Sequence, residues 1–185
     1  MSIFDILVRA RIGNSQGFAL KTHWEKIYQK KAPESVSWYR AHLETSLELI
    51  TKTASARSPA IIDVGGGEST LVDDLLARGY RNVSVLDVSG TALEVTKRRL
   101  RGLAENVCWI AGDITTIELE ADSFDVWHDR AVFHFLTSSR QRLAYVRQVA
   151  RSVRAGGHVL VSTFGPKGPT KWRPRRSALR CKLSP

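Results

Sequence analysis

The stretch that decides the fold is Ala60-Ile61-Ile62-Asp63-Val64-Gly65-Gly66-Gly67-Glu68-Ser69-Thr70. In it, an apolar run ends in a carboxylate, passes through three glycines and opens into a helical pattern at Ser69. A short apolar run that is bounded by turn residues is typical of a buried parallel strand. The stretch therefore predicts a strand, a glycine loop and a helix N-terminus, in that order.

Strand and helix patterns alternate along the rest of the chain, with short connections between them. The sequence predicts helices at 69–78, 91–101 and 138–153, and further strands at 83–87, 107–110, 124–127 and 158–164. Gly79 is expected to end the first of these helices, and Ala155-Gly156-Gly157 is expected to form the turn after the last. This alternation predicts an α/β, Rossmann-like, doubly wound fold, with a mainly parallel sheet of about five strands and helices on both faces.

Two helices are predicted before the glycine loop. Thr22 and Glu25 have the spacing of a capping box, which predicts a helix to about Lys30. Apolar residues at steps of three and four predict a second helix from Ser35 to about Ile50. The aromatic side chains of these helices suit a cover over a ligand site and suit packing against the sheet equally well. The patterns divide the chain into an N-terminal extension (1–21), a domain (22–164) with its ligand-binding core at 60–164, and an irregular tail (165–185).

The net charge of +10 belongs mainly to the two ends of the chain. Residues 165–185 contain seven lysines and arginines and no acid, whereas residues 32–164 are nearly neutral. The basic composition is therefore a property of the ends and not of the folded domain, so nucleic acid is a possible partner but not the favoured one.

Composition also limits the compartment in which the protein is expected. No apolar run approaches the roughly 20 residues that cross a membrane, so no membrane partner is expected. Residues 1–21 lack the features of an export signal, although a weak organelle presequence stays open. Cys108 and Cys181 lie in unrelated contexts and predict neither a disulfide framework nor a metal site. A reducing, cytoplasmic location is expected.

Three kinds of site compete for the glycine loop: a turn without a ligand, a pyrophosphate loop, and a loop for S-adenosylmethionine. The dinucleotide fingerprint requires a third glycine where Thr70 stands. A nucleoside triphosphate loop ends in Gly-Lys-Ser/Thr, whereas Glu68 here places a carboxylate where phosphates would lie. Asp63 ends a buried strand and must be paired or contact a ligand. Both acids favour a cationic or zwitterionic ligand.

Five segments resemble, in order, the motifs of class I S-adenosylmethionine-dependent methyltransferases. They are Ile61–Ser69, Val85–Asp87, Ala111–Ile114, Phe124–Arg130 and Val153–Val161. None of these segments is specific by itself, whereas five in this order, each at the expected end of a predicted strand, are specific to the family. The resemblance extends from about Ile61 to Phe164 and implies S-adenosylmethionine as cofactor.

The resemblance also implies which residues hold the cofactor, namely Asp63, Gly65, Gly66, Gly67, Ser69, Asp87, Val88, Asp113 and Ile114. Ser69 replaces the usual third glycine of the family. Asp87, followed by Val88, matches the acid that binds both ribose hydroxyls. Asp113 matches the acceptor for the adenine amino group, and the residue after it packs on the ring. Two plainer interpretations stay open, in which Asp113 forms a turn and Asp87 caps the next helix.

His128 and Asp129 are the predicted catalytic residues, because they follow the fourth strand beside the expected methyl position. They either accept a proton or contact the methionine end of the cofactor, and both roles stay open. Methyl transfer is an in-line displacement that depends on alignment, and a base is needed only if the acceptor arrives protonated. His128-Asp129-Arg130 differs from the Asn-Pro-Pro-Tyr segment of many adenine and glutamine N-methyltransferases, so these acceptors are disfavoured.

The C-terminal part departs from the family, whose sheet usually has seven strands. Only about twenty residues, rich in proline and basic side chains, follow the fifth predicted strand. Three explanations stay open. In the first, the reading frame is truncated or shifted near Pro169–Trp172. In the second, a partner chain completes the sheet, and in the third, the tail is a basic arm that binds RNA or an acidic protein. The first explanation is favoured, and it predicts reduced activity and association through an exposed sheet edge.

The sequence therefore predicts an S-adenosylmethionine-dependent methyltransferase that acts on an unidentified small molecule or protein. One alternative is a methyltransferase-like module, intact or truncated, that binds without catalysis. The other is an RNA-associated methyltransferase that uses the basic tail.

Overall fold

A computed structural model describes residues 15–30, 39–54, 58–130 and 132–163 of the chain. Its helices are α1 (Ser15–Lys30), α2 (Glu44–Thr53), α3 (Leu71–Ala77), α4 (Gly90–Leu100) and α5 (Ser139–Ser152). Its strands are β1 (Ile61–Val64), β2 (Val83–Asp87), β3 (Val107–Ala111), β4 (Phe124–Arg130) and β5 (Val153–Ser162). Two short 3₁₀ helices lie at Arg101–Asn106 and Phe133–Phe135.

The five strands form one parallel sheet with the order β3-β2-β1-β4-β5. This confirms the predicted α/β, Rossmann-like fold class. The order reverses between β1 and β4, and ligands of such sheets bind beyond the carboxyl ends of the strands at this point. Across the reversal, Asp63 of β1 lies opposite His128 of β4, and Val64 lies opposite Asp129.

Two apolar clusters cover the two faces of the sheet. The larger cluster joins one face to α2, α3 and α4, and the smaller joins the other face to α5 and to residues 114–119. Side chains of β1 alternate between the two, since Ile61 belongs to the larger cluster and Ile62 and Val64 belong to the smaller. Every residue of β1 is buried, which explains why the strand is apolar apart from Asp63.

The helix boundaries before the loop differ from the predicted ones. Helix α1 begins at Ser15, so Thr22 and Glu25 lie inside the helix and do not cap it. The predicted helix to about Ile50 is present, but its described start is wrong, because residues 39–43 are not helical and α2 extends from Glu44 to Thr53. The predicted extension and tail fall, at residues 1–14 and 164–185, outside the described residues.

The strands after the loop also differ in length. Strand β4 continues to Arg130, since partners inside the fold hold the polar side chains of His128 and Asp129. Strand β5 begins at Val153, so the predicted Ala155–Gly157 turn lies within it as an irregularity, with Gly156 at φ +79°. Gly79 ends α3 as predicted, with φ +90° and its N–H donating to the Leu76 carbonyl. No helix in the described part is long and apolar enough to cross a membrane.

Candidate active site

The glycine loop folds back onto β2. The N–H groups of Gly65 and Gly66 both donate to the Leu86 carbonyl, at 2.7 and 3.2 Å. Gly65 has φ +75°, and a Cβ added there would overlap the Val132 side chain. Gly67 has φ +39°, and a Cβ there would lie 2.8 Å from Oδ2 of Asp87. Glycine is required at both positions, because the backbone is left-handed and its neighbours leave no room for a side chain.

Two side chains of helix α4 hold the glycine loop by hydrogen bonds to its carbonyl groups. Thr96 Oγ1 donates to the Gly67 carbonyl at 2.7 Å, and this contact is buried. The Arg99 guanidinium donates to the carbonyls of Glu68 (3.1 Å) and Ser69 (2.6 Å) and pairs with Asp73 at 2.7 Å. Neither residue was predicted from the sequence. A polar residue on the apolar face of α4 was a usable signal for Thr96, whereas nothing in the local pattern marked Arg99.

We expect Thr96→Val to loosen the loop without unfolding the protein. Valine keeps the shape of the side chain but leaves the buried Gly67 carbonyl without its donor, which costs about 1 to 3 kcal/mol of unfolding free energy. Urea denaturation would measure this loss. Thr53→Val is the control, because the Thr53 hydroxyl donates only within α2, to the carbonyls of Leu49 and Ile50. An equal loss in both variants would contradict the fastening role.

Three carboxylates are buried around the loop: Asp63, Glu68 and Asp87 are only 3, 7 and 5% exposed. Oδ1 of Asp87 accepts a hydrogen bond from the Ser89 N–H at 2.8 Å. Burial, with the charges of Asp63, Glu25 and Glu68, raises the pKa of Asp87 to about 7. Such a site repels phosphate and attracts a positively charged ligand, so these residues fit a sulfonium cofactor with an α-amino group.

This arrangement predicts that the protein without cofactor loses stability as the pH rises from about 4 to 7. The Asp87 carboxyl has a pKa of about 7 in the folded chain and 3.8 as its ordinary value. The folded state therefore holds a proton that the unfolded state has released, and the free energy of unfolding falls across this interval. Urea denaturation at a series of pH values would measure the fall. Asp87→Asn should flatten the curve, and an equally steep curve in this variant would contradict the assignment.

Helix α1 lies across the loop. The Tyr28 hydroxyl is 3.1 Å from the place where a Cβ of Gly67 would stand, and burial next to Asp87 and Glu68 raises its pKa well above the ordinary value. Glu25 Oε1 accepts from the Thr91 N–H at 3.5 Å, at the start of α4.

At the other side of the loop, the Trp24 ring packs edge-on against Phe135 with 5.1 Å between ring centroids. Helix α1 therefore joins α4 to the segment after β4. The role of the N-terminal aromatics as a cover over the cofactor stays a prediction.

His128 lies in a buried chain of hydrogen bonds on the α2 face of the sheet. Its Nδ1 is 2.7 Å from Oδ1 of Asp63, and its Nε2 is 2.9 Å from Oγ of Ser46. Oδ2 of Asp63 is turned to the loop, 2.7 Å from where a Cβ of Gly66 would stand. The chain thus links the loop to β4 and α2. Ser46 is 82 residues from His128, and no sequence signal marked it.

Asp129 lies on the opposite face of the sheet and is fully buried. Its carboxylate accepts from the N–H groups of Val132 (2.7 Å) and Phe133 (3.1 Å) and from the Tyr145 hydroxyl (2.7 Å). The Trp127 indole donates to the same hydroxyl at 2.9 Å. Burial raises the pKa of Asp129. The structure therefore separates the two predicted catalytic residues and gives each a set of internal partners.

The other predicted cofactor residues lie along the carboxyl ends of β2 and β3. Oδ1 of Asp113 accepts from the N–H and the hydroxyl of Thr115, at 2.8 and 2.7 Å, which is a turn of the kind left open by the sequence. Ile114 is 4% exposed and belongs to the smaller apolar cluster, and Val88 is partly exposed beside Asp87. Their roles towards the cofactor stay predictions.

Comparison with known proteins assigns the chain to one protein family. A family model described as a methyltransferase domain matches residues 61–157, so the chain belongs to the methyltransferase domain family. The methyl donor of this family is S-adenosylmethionine, which confirms the family and the cofactor predicted from the motifs.

Individual relatives are more distant. The mouse eEF1A lysine and N-terminal methyltransferase is 24% identical over 147 residues, which cover 80% of this chain and 21% of that protein. A malonyl-[acyl-carrier protein] O-methyltransferase of Paenibacillus is 25% identical over 130 residues, or 68% of this chain and 46% of its own length. The chain thus spans about a fifth of the length of the eEF1A methyltransferases it matches.

Among solved structures, phosphoethanolamine N-methyltransferase 1 of Haemonchus contortus, in complex with phosphoethanolamine and S-adenosylhomocysteine, superposes with a TM-score of 0.67. It is 22% identical, and the match covers 88% of this chain and 36% of that one. A methyltransferase of Methanococcus maripaludis superposes with a TM-score of 0.55 at 17% identity, over 75% and 60% of the two chains. These likenesses concern the fold.

Proposed function

We propose that this chain binds S-adenosylmethionine at the glycine loop and transfers its methyl group to an acceptor. The observation that carries the proposal is the cluster of buried carboxylates around the loop, at the point where the strand order reverses. A cationic ligand is the group that such a cluster stabilises. The family to which the chain belongs supports the same conclusion.

Each part of the proposed site has a specific task. Oδ2 of Asp63, turned to the loop, accepts from the α-amino group of the cofactor, while His128 holds Oδ1. Asp87 binds the ribose hydroxyls, and Tyr28 closes the site over it. Asp113 and Ile114 border the place of the adenine. When the cofactor is bound, its sulfonium supplies an activated methyl group.

We propose positioning roles for the two residues predicted to be catalytic. Both ring nitrogens of His128 are hydrogen-bonded, so its role is to orient the Asp63 carboxylate. Asp129 holds the turn after β4 through the Val132 and Phe133 N–H groups. Alignment of donor and acceptor is the main contribution to an in-line displacement, and positioning residues are sufficient for it.

The acceptor is a protein or a small molecule. The relatives named above act, by their names, on lysine and the N-terminus of eEF1A and on a malonyl group carried by a protein. Because these acceptors differ chemically, the proposal takes from the relatives only the transfer step that they share. The acceptor class is then found with tritiated S-adenosylmethionine, offered with a protein extract and, separately, with its small-molecule fraction.

The proposal is tested first by isothermal titration with S-adenosylmethionine, S-adenosylhomocysteine and ATP. We expect binding of the first two compounds and none of ATP, because the buried acids oppose a triphosphate. Binding of ATP alone would overturn the proposal. Binding of S-adenosylmethionine without label transfer to either fraction would overturn catalysis and leave the alternative of a binding module.

A further inference from the structure

Helix α2 carries one hydroxyl group that bonds away from its own helix. Ser46 lies on the buried face of α2 with Leu47 and Ile50, and it is itself 7% exposed. A hydroxyl in a helix often donates to the carbonyl one turn earlier, as that of Thr51 does to Leu47 at 2.7 Å. Within the described residues, the only hydrogen-bond partner of the Ser46 hydroxyl is instead Nε2 of His128, at 2.9 Å. The hydroxyl therefore serves the buried chain of hydrogen bonds that continues to Asp63.

The hydrogen bonds of this chain have one direction that satisfies every group. An ionised carboxylate only accepts, so Nδ1 of His128 carries a hydrogen and donates it to Oδ1 of Asp63 at 2.7 Å. If Nε2 also carried a hydrogen, the Ser46 oxygen would accept it. The buried hydroxyl would then have no acceptor for its own hydrogen among the described residues, which is costly. Ser46 therefore donates to Nε2, and the imidazole ring is neutral.

A neutral His128 orients the Asp63 carboxylate without cancelling its charge. Asp63 is 3% exposed, and a buried carboxylate needs a cation or hydrogen-bond donors to compensate the loss of water. His128 holds one of its oxygens, Oδ1. The other oxygen, Oδ2, is turned to the glycine loop, 2.7 Å from where a Cβ of Gly66 would stand. The bond at Oδ1 thus fixes the direction in which Oδ2 meets a ligand at the loop.

We propose that Ser46 is a positioning residue for the α-amino group of the cofactor and that it acts through His128. By donating to Nε2, Ser46 holds the ring in the tautomer that has its hydrogen on Nδ1. The Nδ1–H group fixes Oδ1 of Asp63, so Oδ2 is oriented and charged for an ammonium group. This inference rests on the proposed function, in which Asp63 binds the amino-acid end of S-adenosylmethionine. It makes Ser46 a determinant of specificity for ligands that carry an α-amino group.

The test compares two ligands that differ only in the α-amino group. They are S-adenosylhomocysteine and its deaminated analogue, in which hydrogen replaces that group. Isothermal titration measures both ligands with the unmodified full chain, with Ser46→Ala and with Ser46→Thr, which keeps a hydroxyl. Alanine suits a helix better than serine, so Ser46→Ala is expected to fold. Ser152→Ala is the matched control, because Ser152 is also buried and its hydroxyl has no hydrogen-bond partner in the described part of the chain.

Ser46→Ala should weaken the binding of S-adenosylhomocysteine about tenfold and that of the deaminated analogue less than about twofold. Ser46→Thr should restore most of the affinity, and Ser152→Ala should change the binding of neither ligand. A merely structural role of Ser46 would weaken both ligands alike. That result, no effect on either ligand, or equal binding of both ligands by the unmodified chain would overturn the role of Ser46. If the unmodified chain binds neither S-adenosylmethionine nor S-adenosylhomocysteine, the proposed function itself fails, and this inference fails with it.

Nitrogen NMR of the histidine side chains gives a readout that does not depend on a ligand. The signals of His128 are identified by their loss in His128→Gln. Near neutral pH we expect the ring of His128 in the unmodified chain to be neutral, with its hydrogen on Nδ1. In Ser46→Ala this hydrogen should exchange faster with water, because the ring has lost one of its two partners. A hydrogen on Nε2 in the unmodified chain would overturn the assignment of Ser46 as the donor.

Discussion

Asp87→Ala is expected to weaken the binding of S-adenosylmethionine about a hundredfold. A carboxylate that accepts from both ribose hydroxyls makes two charge-assisted hydrogen bonds, each worth about 1.5 to 3 kcal/mol, and tenfold in affinity corresponds to about 1.4 kcal/mol. Asp87 is buried and its Oδ2 is turned to Gly67, at the centre of the loop. Isothermal titration above pH 8, where the carboxyl group is ionised, measures the loss.

Removing the charge of Asp87 should raise stability although it weakens cofactor binding. This combination distinguishes a ligand-binding acid from a structural one. Asp87→Asn removes a charge that burial and the neighbouring acids oppose, while its amide oxygen can still accept from the Ser89 N–H. We expect the free energy of unfolding at pH 8 to rise by roughly 2 kcal/mol while cofactor binding falls. Glu94→Gln, an equal charge change on the exposed face of α4, should alter neither quantity. If Asp87→Asn is less stable than the unmodified chain at pH 8, the buried charge is not destabilising, and the assignment of Asp87 as an acid that a bound cation compensates is wrong.

Opposite effects on stability and on cofactor binding are expected at a site where buried like charges are compensated only when a ligand is bound. The acids around the loop repel one another, and a cation between them would relieve that repulsion. Two of these acids were already recognised from the sequence as favouring a cationic ligand. Asp63 at the end of an apolar strand, and Glu68 where phosphates would lie, could be recognised from local pattern alone.

Local pattern predicted the order of the elements because each depends on residues close in sequence. Gly79 marked the end of α3, and the apolar run before the glycine loop marked β1. The order of the strands in the sheet was not predicted, whereas the class of cofactor followed from Asp63 and Glu68 at the loop and from the resemblance of five segments to the methyltransferase motifs. The features that were predicted need no knowledge of distant contacts.

What the sequence could not predict depends on contacts between distant residues. His128 was predicted to follow a strand at 124–127, whereas β4 continues to Arg130 and buries His128. Its hydrogen-bond partners, Ser46 and Asp63, are 82 and 65 residues away. Glu25 meets Thr91 across 66 residues, which is how α1 reaches the loop. Similarly, no periodicity indicated that Arg99 would hold the loop carbonyls.

Asp129→Ala is expected to cost about 3 to 5 kcal/mol of unfolding free energy, although Asp129 was predicted as a catalytic residue. The variant leaves three buried donors without their acceptor, the N–H groups of Val132 and Phe133 and the Tyr145 hydroxyl, and each such loss costs about 1 to 3 kcal/mol. A residue that served only to accept a proton in the reaction would leave stability unchanged. Urea denaturation at pH 7 measures the effect.

A double-mutant cycle with Tyr145→Phe separates two contributions of Asp129 to stability. One is its hydrogen bond with Tyr145, and the other is its hydrogen bonds to the N–H groups of Val132 and Phe133. Phenylalanine removes the hydroxyl that donates to Asp129 and accepts from the Trp127 indole, so by itself it should cost about 1 to 2 kcal/mol. In the Asp129→Ala background the hydroxyl has already lost its acceptor, and the same change should cost less than half as much. Additive effects would mean that Asp129 and Tyr145 act independently. Asp129 would then stabilise the chain through the Val132–Phe133 turn alone, and the buried link from β4 to α5 would contribute nothing.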